Sequence, residues 1–184
     1  KDEESANRLE EIINRGVLIV ATSPDFPPNE FIDLSKSGDE QYVGSDIEFA
    51  KYIAEQLGVE LQLEVMEFGA VCAAVTNGKA DLAISGLAYT EDRANTMELS
   101  KGYNFSDDSE DPNCQGLLIM ATSASSYKTM DDFSGKTVAA QLGSLQEQLT
   151  LAQISDVQLE QISSLDIGIM SLKTGRVDAM ACAC

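Results

Sequence analysis

The chain has no histidine among its 184 residues. That absence removes the usual general base and the commonest metal ligand. Cations are scarce: 12 Lys and Arg stand against 31 Asp and Glu, a net charge of −19. Such a balance argues against nucleic acid and against an anionic membrane surface as partners. It suits a solvated protein outside the cell, although acidic cytosolic proteins are also common. No apolar run approaches the roughly 18 residues of a membrane span. No signal peptide is visible, and the polar start Lys1-Asp2-Glu3-Glu4 is that expected of a mature or trimmed chain. The four cysteines, Cys72, Cys114, Cys182 and Cys184, form neither a CxxC redox motif nor a zinc pattern. They read as scattered buried or free thiols, since free cysteine packs as a small hydrophobe. One disulfide stays open for an oxidising compartment.

What is present suffices for a core. Hydrophobic residues make up 43% of the chain, enough for one large domain or two small lobes. Residues 4–14 carry Leu9, Ile12 and Ile13 at helical spacing, and Gly16 ends that helix. Residues 17–22, VLIVAT, read as a central strand. The next stretch, 23–28, holds three prolines, which fix φ and remove donors, so neither a ladder nor a helix is expected there. A short strand at 30–34 and a hairpin-like turn at 36–41 follow. Ser45 and Glu48 have the spacing of a capping box for a helix reaching Leu57, with Gly58 closing it. Residues 59–65 read as a strand, 68–76 as a small-residue helix and 80–85 as a buried strand after the Asn77-Gly78 turn. Thr90 is placed to cap a short helix opened by Glu91, Asp92 and Arg93.

Beyond Arg93 the pattern repeats. Residues 103–112 form a polar, acidic stretch that reads as a solvated loop, since its spacing is not that of an EF-hand. Strands are expected at 116–121, 137–141, 157–161 and 177–182, and helices at 145–152 and 165–174. Strands alternating with helices imply an α/β protein with mostly parallel, doubly wound sheets. The expected division is a first lobe at 1–102, an acidic connection at 103–115 and a second lobe at 116–184.

Three features could hold a ligand. Arg93 is the only arginine between Arg15 and Arg176, and it lies just past the carboxyl end of a strand, where α/β sheets bind ligands. Its planar fork grips a carboxylate bidentately. A surface arginine paired with Glu91 or Asp92 is the alternative. Gly143-Ser144 at a helix start would supply N–H groups and a hydroxyl to an anion, or Ser144 simply caps the helix. Phe26, held in the proline loop, could cover a ligand or anchor the loop on the core. Two anion-gripping turns on two lobes suggest a cleft holding a small carboxylate.

In this order the chain resembles the extracellular solute-binding proteins of ABC transporters, specifically the polar amino-acid family. The matching stretches are RLEEIINRGVLIVATSPDFPPNEF (8–31), VGSDIEFAKYIAEQLGVELQLE (43–64), FGAVCAAVTNGKADLAISGLAYTEDRANTMELS (68–100), GKTVAAQLGSLQEQ (135–148) and LKTGRVDAM (172–180). The resemblance implies the type II periplasmic-binding fold, with two lobes closing over the ligand. It also implies reversible capture of an amino-acid-like carboxylate rather than catalysis. Arg93 would clamp the α-carboxylate, with Ser144 helping. Phe26 and Phe68 would sandwich the side chain. Ser85 and Gly86 would offer hydroxyl and backbone contacts, with Ala88 close by, and Gln146 would line the cleft.

The chain departs from that pattern at several places. Ala183 stands where an aspartate usually pairs with the ligand's ammonium, Ala88 where Ser or Thr is usual, Leu145 where a hydroxyl is frequent and Gly69 where an aspartate is common. A buried ammonium without its carboxylate costs several kcal/mol. Either the ligand lacks that ammonium, or Asp25 supplies the charge, or the site is degenerate. The chain also ends earlier than the family pattern, before the return crossing to the first lobe. The implied partners are the small-molecule ligand and a membrane ABC permease. The implied protein is a monomer, outside the cell or in the periplasm, lipid-anchored, and without a metal or cofactor. A dehydratase-like enzyme on the same fold, and a sensory lobe pair that binds no amino acid, are the alternatives.

Overall fold

The structure, a computed structural model, describes residues 7–103 and 114–183. The chain divides into two compact units, Lys1–Glu98 and Leu99–Cys184, so the division falls just ahead of the expected boundary at residue 102. The acidic stretch at 103–112 lies almost wholly outside the described residues, as does Cys184.

The first unit opens with α1 (Arg8–Arg15), capped by the Asn7 side chain and closed by Gly16 at φ 74°. Of the expected apolar face only Ile12 is buried, while Leu9 and Ile13 remain 44% and 49% exposed. β1 (Val17–Thr22) follows. Asp25 and Phe26 then form β2 (Asp25–Phe26), against the expectation of no ladder in the proline stretch. They pair antiparallel with β3 (Glu30–Ile32), because the prolines flank these two residues and leave their N–H donors intact. The turn at 36–41 contains a 3₁₀ segment, and it leads into β4 (Tyr42–Val43), a third strand of this small sheet that the sequence reading missed.

α2 (Ser45–Leu57) begins without the expected capping box, and its N-cap is Gly44. The Ser45 and Asp46 N–H groups donate instead to the carbonyls of Pro28 and Asn29, at 3.2 and 2.8 Å. Glu48 turns outward to Lys51. Tertiary carbonyls have taken the role that the sequence assigns to a side chain. β5 (Glu60–Val65), α3 (Phe68–Thr76), β6 (Leu82–Ala83) and α4 (Glu91–Thr96) complete the unit. β6 is shorter than the expected strand at 80–85, since Gly86 adopts φ 55° and turns the chain away.

β1 is central, parallel to β5 on one side and β6 on the other. Alternate side chains of a strand face opposite ways, and both faces of β1 are covered. Leu18 and Val20 pack with Ile12, Ala50, Ala54 and Ile84, while Ala21 packs with Val71, Ala74 and Ala80. A strand buried on both faces has to be apolar throughout, which VLIVA is.

The second unit comprises β7 (Gln115–Leu118), β8 (Thr137–Gln141), α5 (Leu145–Gln153), β9 (Gln158–Ile162), α6 (Leu165–Lys173) and β10 (Ala179–Ala183). The sheet order is β7-β10-β8-β9, with only the edge strand β7 antiparallel. Val138 and Ala140 face Phe133 and Ile154, and Ala139 faces Leu172 and Met180. Cys114 is disulfide-bonded, while Cys72 and Cys182 are free. The reading of scattered free thiols therefore holds for Cys72 and Cys182, and the disulfide that the sequence left open involves Cys114.

Candidate functional site

Arg93 is the second residue after the start of α4, and it is 7% exposed. Thr90 fixes it from below, since its hydroxyl accepts the Arg93 N–H at 3.2 Å. A threonine N-cap holds the first turn of a short helix that would otherwise fray. The guanidinium is held from above. Nη1 donates to the Ala88 carbonyl at 2.6 Å, and Cζ lies 5.7 Å from the centroid of the Phe68 ring. That is cation–π distance. Phe68 is the first residue of α3, so the helix start presents its ring to the arginine. Ala88, expected close by, meets Arg93 through its backbone carbonyl.

Upstream, the segment Ser85-Gly86 is fixed by buried polar groups. Ser85 is 1% exposed; its hydroxyl donates to Glu30 Oε1 at 2.9 Å and accepts the Ser23 N–H at 3.0 Å. The Gly86 N–H donates to Asp46 Oδ2 at 2.8 Å. The Phe26 ring lies against Gly86, so that a Cβ there would come within 2.9 Å of Phe26 Cδ1. Glycine at this place both adopts φ 55° and admits the ring. Asp25, next to Phe26, accepts a hydrogen bond from the Ser23 hydroxyl at 3.1 Å. Seven residues named from the sequence thus fall into two groups in the first unit: Phe26 against Gly86, with Ser85 and Asp25 adjoining, and Arg93 with the Ala88 carbonyl and the Phe68 ring.

Two functional-looking acids escaped the sequence reading. Glu30 and Asp46 are 0% and 1% exposed. Burial, then the Asp46 charge, push the Glu30 carboxyl up from 4.5 to about 9. Nothing in the sequence marks them, because a buried acid and a surface acid are the same letter, and most are exposed.

In the second unit Ser144 caps α5. Its hydroxyl accepts the Glu147 N–H at 3.1 Å, its own N–H donates to the Gln141 carbonyl at 3.1 Å, and the Gly143 N–H donates to Glu147 Oε2 at 2.6 Å. Ser144 is therefore a helix cap, and Glu147 takes the Gly143 N–H, one of the donors expected for an anion. Gln146 donates to Gln115 Oε1 at 2.7 Å. It borders a largely apolar cavity of about 80 Å³ within this unit, lined also by Leu117, Leu149, Ile154 and Ala181. Ala183, at the place of the usual aspartate, lies on β10 opposite Gln115.

The family model for bacterial extracellular solute-binding proteins, family 3, matches residues 18–110. A crystal structure of an amino acid ABC transporter substrate-binding protein from Streptococcus pneumoniae, bound to L-arginine, is 38% identical. It covers 95% of this chain and 70% of its own, with a TM-score of 0.83. The arginine-binding extracellular protein ArtP of Bacillus subtilis is 30% identical over 88% of this chain and 59% of its own length. A probable histidine-binding protein of Campylobacter jejuni is 28% identical over 89% of this chain and 58% of its own. The chain spans somewhat under two thirds of the length of these two curated relatives. The architecture is the α/β type II periplasmic-binding fold. The chain belongs to family 3 of the bacterial extracellular solute-binding proteins.

Proposed function

We propose that this chain is the ligand-capturing part of a solute-binding protein of an ABC importer, taking a small amino-acid-like carboxylate with Arg93 as the clamp. The observation that carries the reading is the placement of Arg93. A guanidinium fixed in one orientation is preorganised for a planar partner. Here it is buried at a helix start beyond a strand end, braced by the Ala88 carbonyl and faced by Phe68. A planar fork held in that way matches the two oxygens of a carboxylate. Phe26 and Phe68 supply apolar surface for the ligand's side chain, and Ser85 and Gly86 border it.

The relatives bound to, or named for, arginine and histidine support a polar amino acid as ligand. They are named as binding proteins rather than enzymes. Asp25 would answer the ligand's ammonium, since Ala183 cannot. Ser144 and Gln146 would join only by giving up the hydrogen bonds they now make within their own unit. The same reading implies a membrane permease as partner, a monomer in solution and lipid anchoring on the outside of the cell.

Calorimetry with L-arginine, L-histidine and a panel of organic acids tests this. Binding at about 1 μM or tighter, roughly −8 kcal/mol, is expected for one of them, lost in Arg93→Ala while the variant still melts cooperatively. Failure of the whole panel to raise the melting temperature, or undiminished affinity in Arg93→Ala, would overturn it.

A further inference from the structure

Glu30 and Asp46 approach each other in the buried floor under Ser85 and Gly86, and each holds one of the two. Glu30 Oε1 accepts the Ser85 hydroxyl at 2.9 Å, and Asp46 Oδ2 accepts the Gly86 N–H at 2.8 Å. Glu30 Oε2 is buried without a donor from any other side chain, yet the two carboxyl groups lie within hydrogen-bond reach. Two carboxylates cannot hydrogen-bond unless one of them holds a proton. The charged groups acting on Glu30 are Asp46 on α2 and Asp25 on β2, both acids; from the segment after β6 it accepts the Ser85 hydroxyl. No cation is among these groups to pay for a second negative charge.

We propose that Glu30 is a positioning residue: a neutral carboxylic acid that donates its proton to Asp46 and thereby fixes the Ser85-Gly86 backbone against Phe26, in the geometry that ligand binding uses. The second half of this statement rests on the function proposed above; the first half does not. Loss of the Glu30 proton sets two buried carboxylates against each other. Relief requires one of them to move, and either movement releases Ser85 or Gly86. The position of the carboxyl's titration, pushed up to about 9, agrees with a proton kept at neutral pH.

The test follows the intact chain by NMR, with carboxyl-labelled glutamate and an assigned Gly86 amide. One glutamate signal is expected to titrate near pH 9, and the Gly86 amide should shift with the same midpoint. Glu30→Gln keeps a neutral donor and acceptor, so it should remove both titrations and leave Gly86 near its neutral-pH position. Asp46→Asn removes the neighbouring charge and should lower the glutamate midpoint. This second variant keeps the proposal testable should the first fail to fold. Glutamates that all titrate in the ordinary carboxyl range, or a Gly86 amide indifferent to the transition, would overturn the proposal. With L-arginine as probe, the ratio of the Glu30→Gln affinity to the wild-type affinity should grow about tenfold per pH unit above the midpoint; the probe's own amine titrates alike in both proteins and cancels. A constant ratio would overturn the positioning role. Absence of arginine binding in both proteins counts against the proposed arginine ligand, while the carboxyl titration still decides Glu30.

Discussion

Asp81 and Asp178 make the same two-way hydrogen bond in their separate units. The Asp81 N–H donates to the Ile19 carbonyl at 2.8 Å, and Asp81 Oδ2 accepts the Ile19 N–H at 2.8 Å. The Asp178 N–H donates to the Thr137 carbonyl at 2.8 Å, and Asp178 Oδ2 accepts the Thr137 N–H at 3.0 Å. Each aspartate follows a helix and a glycine turn, Gly78 at φ 69° and Gly175 at φ 72°. Each opens a strand lying parallel to β1 or β8. The segments NGKADLA and TGRVDAM are therefore one structural device used twice.

The two copies differ in charge, which sets their cost. The Asp81 side chain is fully buried and pairs with Arg8, at 2.9 Å, and with Arg15. Asp178 meets the neutral hydroxyl of Tyr127 at 3.3 Å. Asp81→Ala should destabilise the chain by about 2 to 3 kcal/mol, since it leaves the Ile19 N–H without its acceptor and removes the anion shared by two partly exposed arginines. Asp178→Ala should cost about 1 to 2 kcal/mol. Urea unfolding of both variants measures the difference, and equal midpoints would show that the arginines add nothing.

Arg93→Lys retains the charge but not the fork. For the ligand found by calorimetry, affinity should fall at least about tenfold. Phe68→Ala should also weaken binding, because it removes the face under the guanidinium. Full affinity in Arg93→Lys would reduce the clamp to a point charge.

Gly86→Ala should cost about 1 to 2 kcal/mol from its positive φ, and it should displace Phe26 and weaken ligand binding. Gly58→Ala is the control: its φ of 69° carries the same backbone penalty, but a Cβ there meets nothing within 4 Å. It should destabilise similarly and leave affinity unchanged. Equal affinity in both variants would remove Phe26 from the site.

Stability should fall as pH rises between about 4.5 and about 9, the ordinary and the folded-state values for Glu30. In that window the folded chain holds a proton that the unfolded chain releases, so the slope is negative, roughly 1 kcal/mol per pH unit from this group. The contribution is fully present below the window and changes no further above it. Asp33 and Asp132, held below the usual carboxylate range by hydrogen bonds from Ser35 and from Lys128 and Thr129, act in the opposite sense at low pH. Urea midpoints across the window, in wild type and Glu30→Gln, measure the slope. Parallel curves would mean that Glu30 is already charged.

Reduction should lower stability by about 2 to 4 kcal/mol, because Cys114 is disulfide-bonded. Urea unfolding with and without dithiothreitol measures it, and coincident curves would show that this bond does not constrain the unfolded chain.

Local chemistry by itself determined the alternation of strands and helices. VLIVA is apolar throughout because a strand covered on both faces has no solvent side. Thr90 before Glu91 and Gly58 after Leu57 end their helices by rules that act within a turn. The same local logic singled out Arg93, the only arginine between Arg15 and Arg176, past a strand end. Tertiary structure decided where a local rule met a distant partner. The carbonyls of Pro28 and Asn29 displaced the cap expected from Ser45, and Asp25 and Phe26 found β3 although prolines flank them. It also decided which acids are buried: thirty-one Asp and Glu look alike in sequence, and only folding brings Glu30 and Asp46 together away from water, where one proton becomes cheaper to keep than to lose.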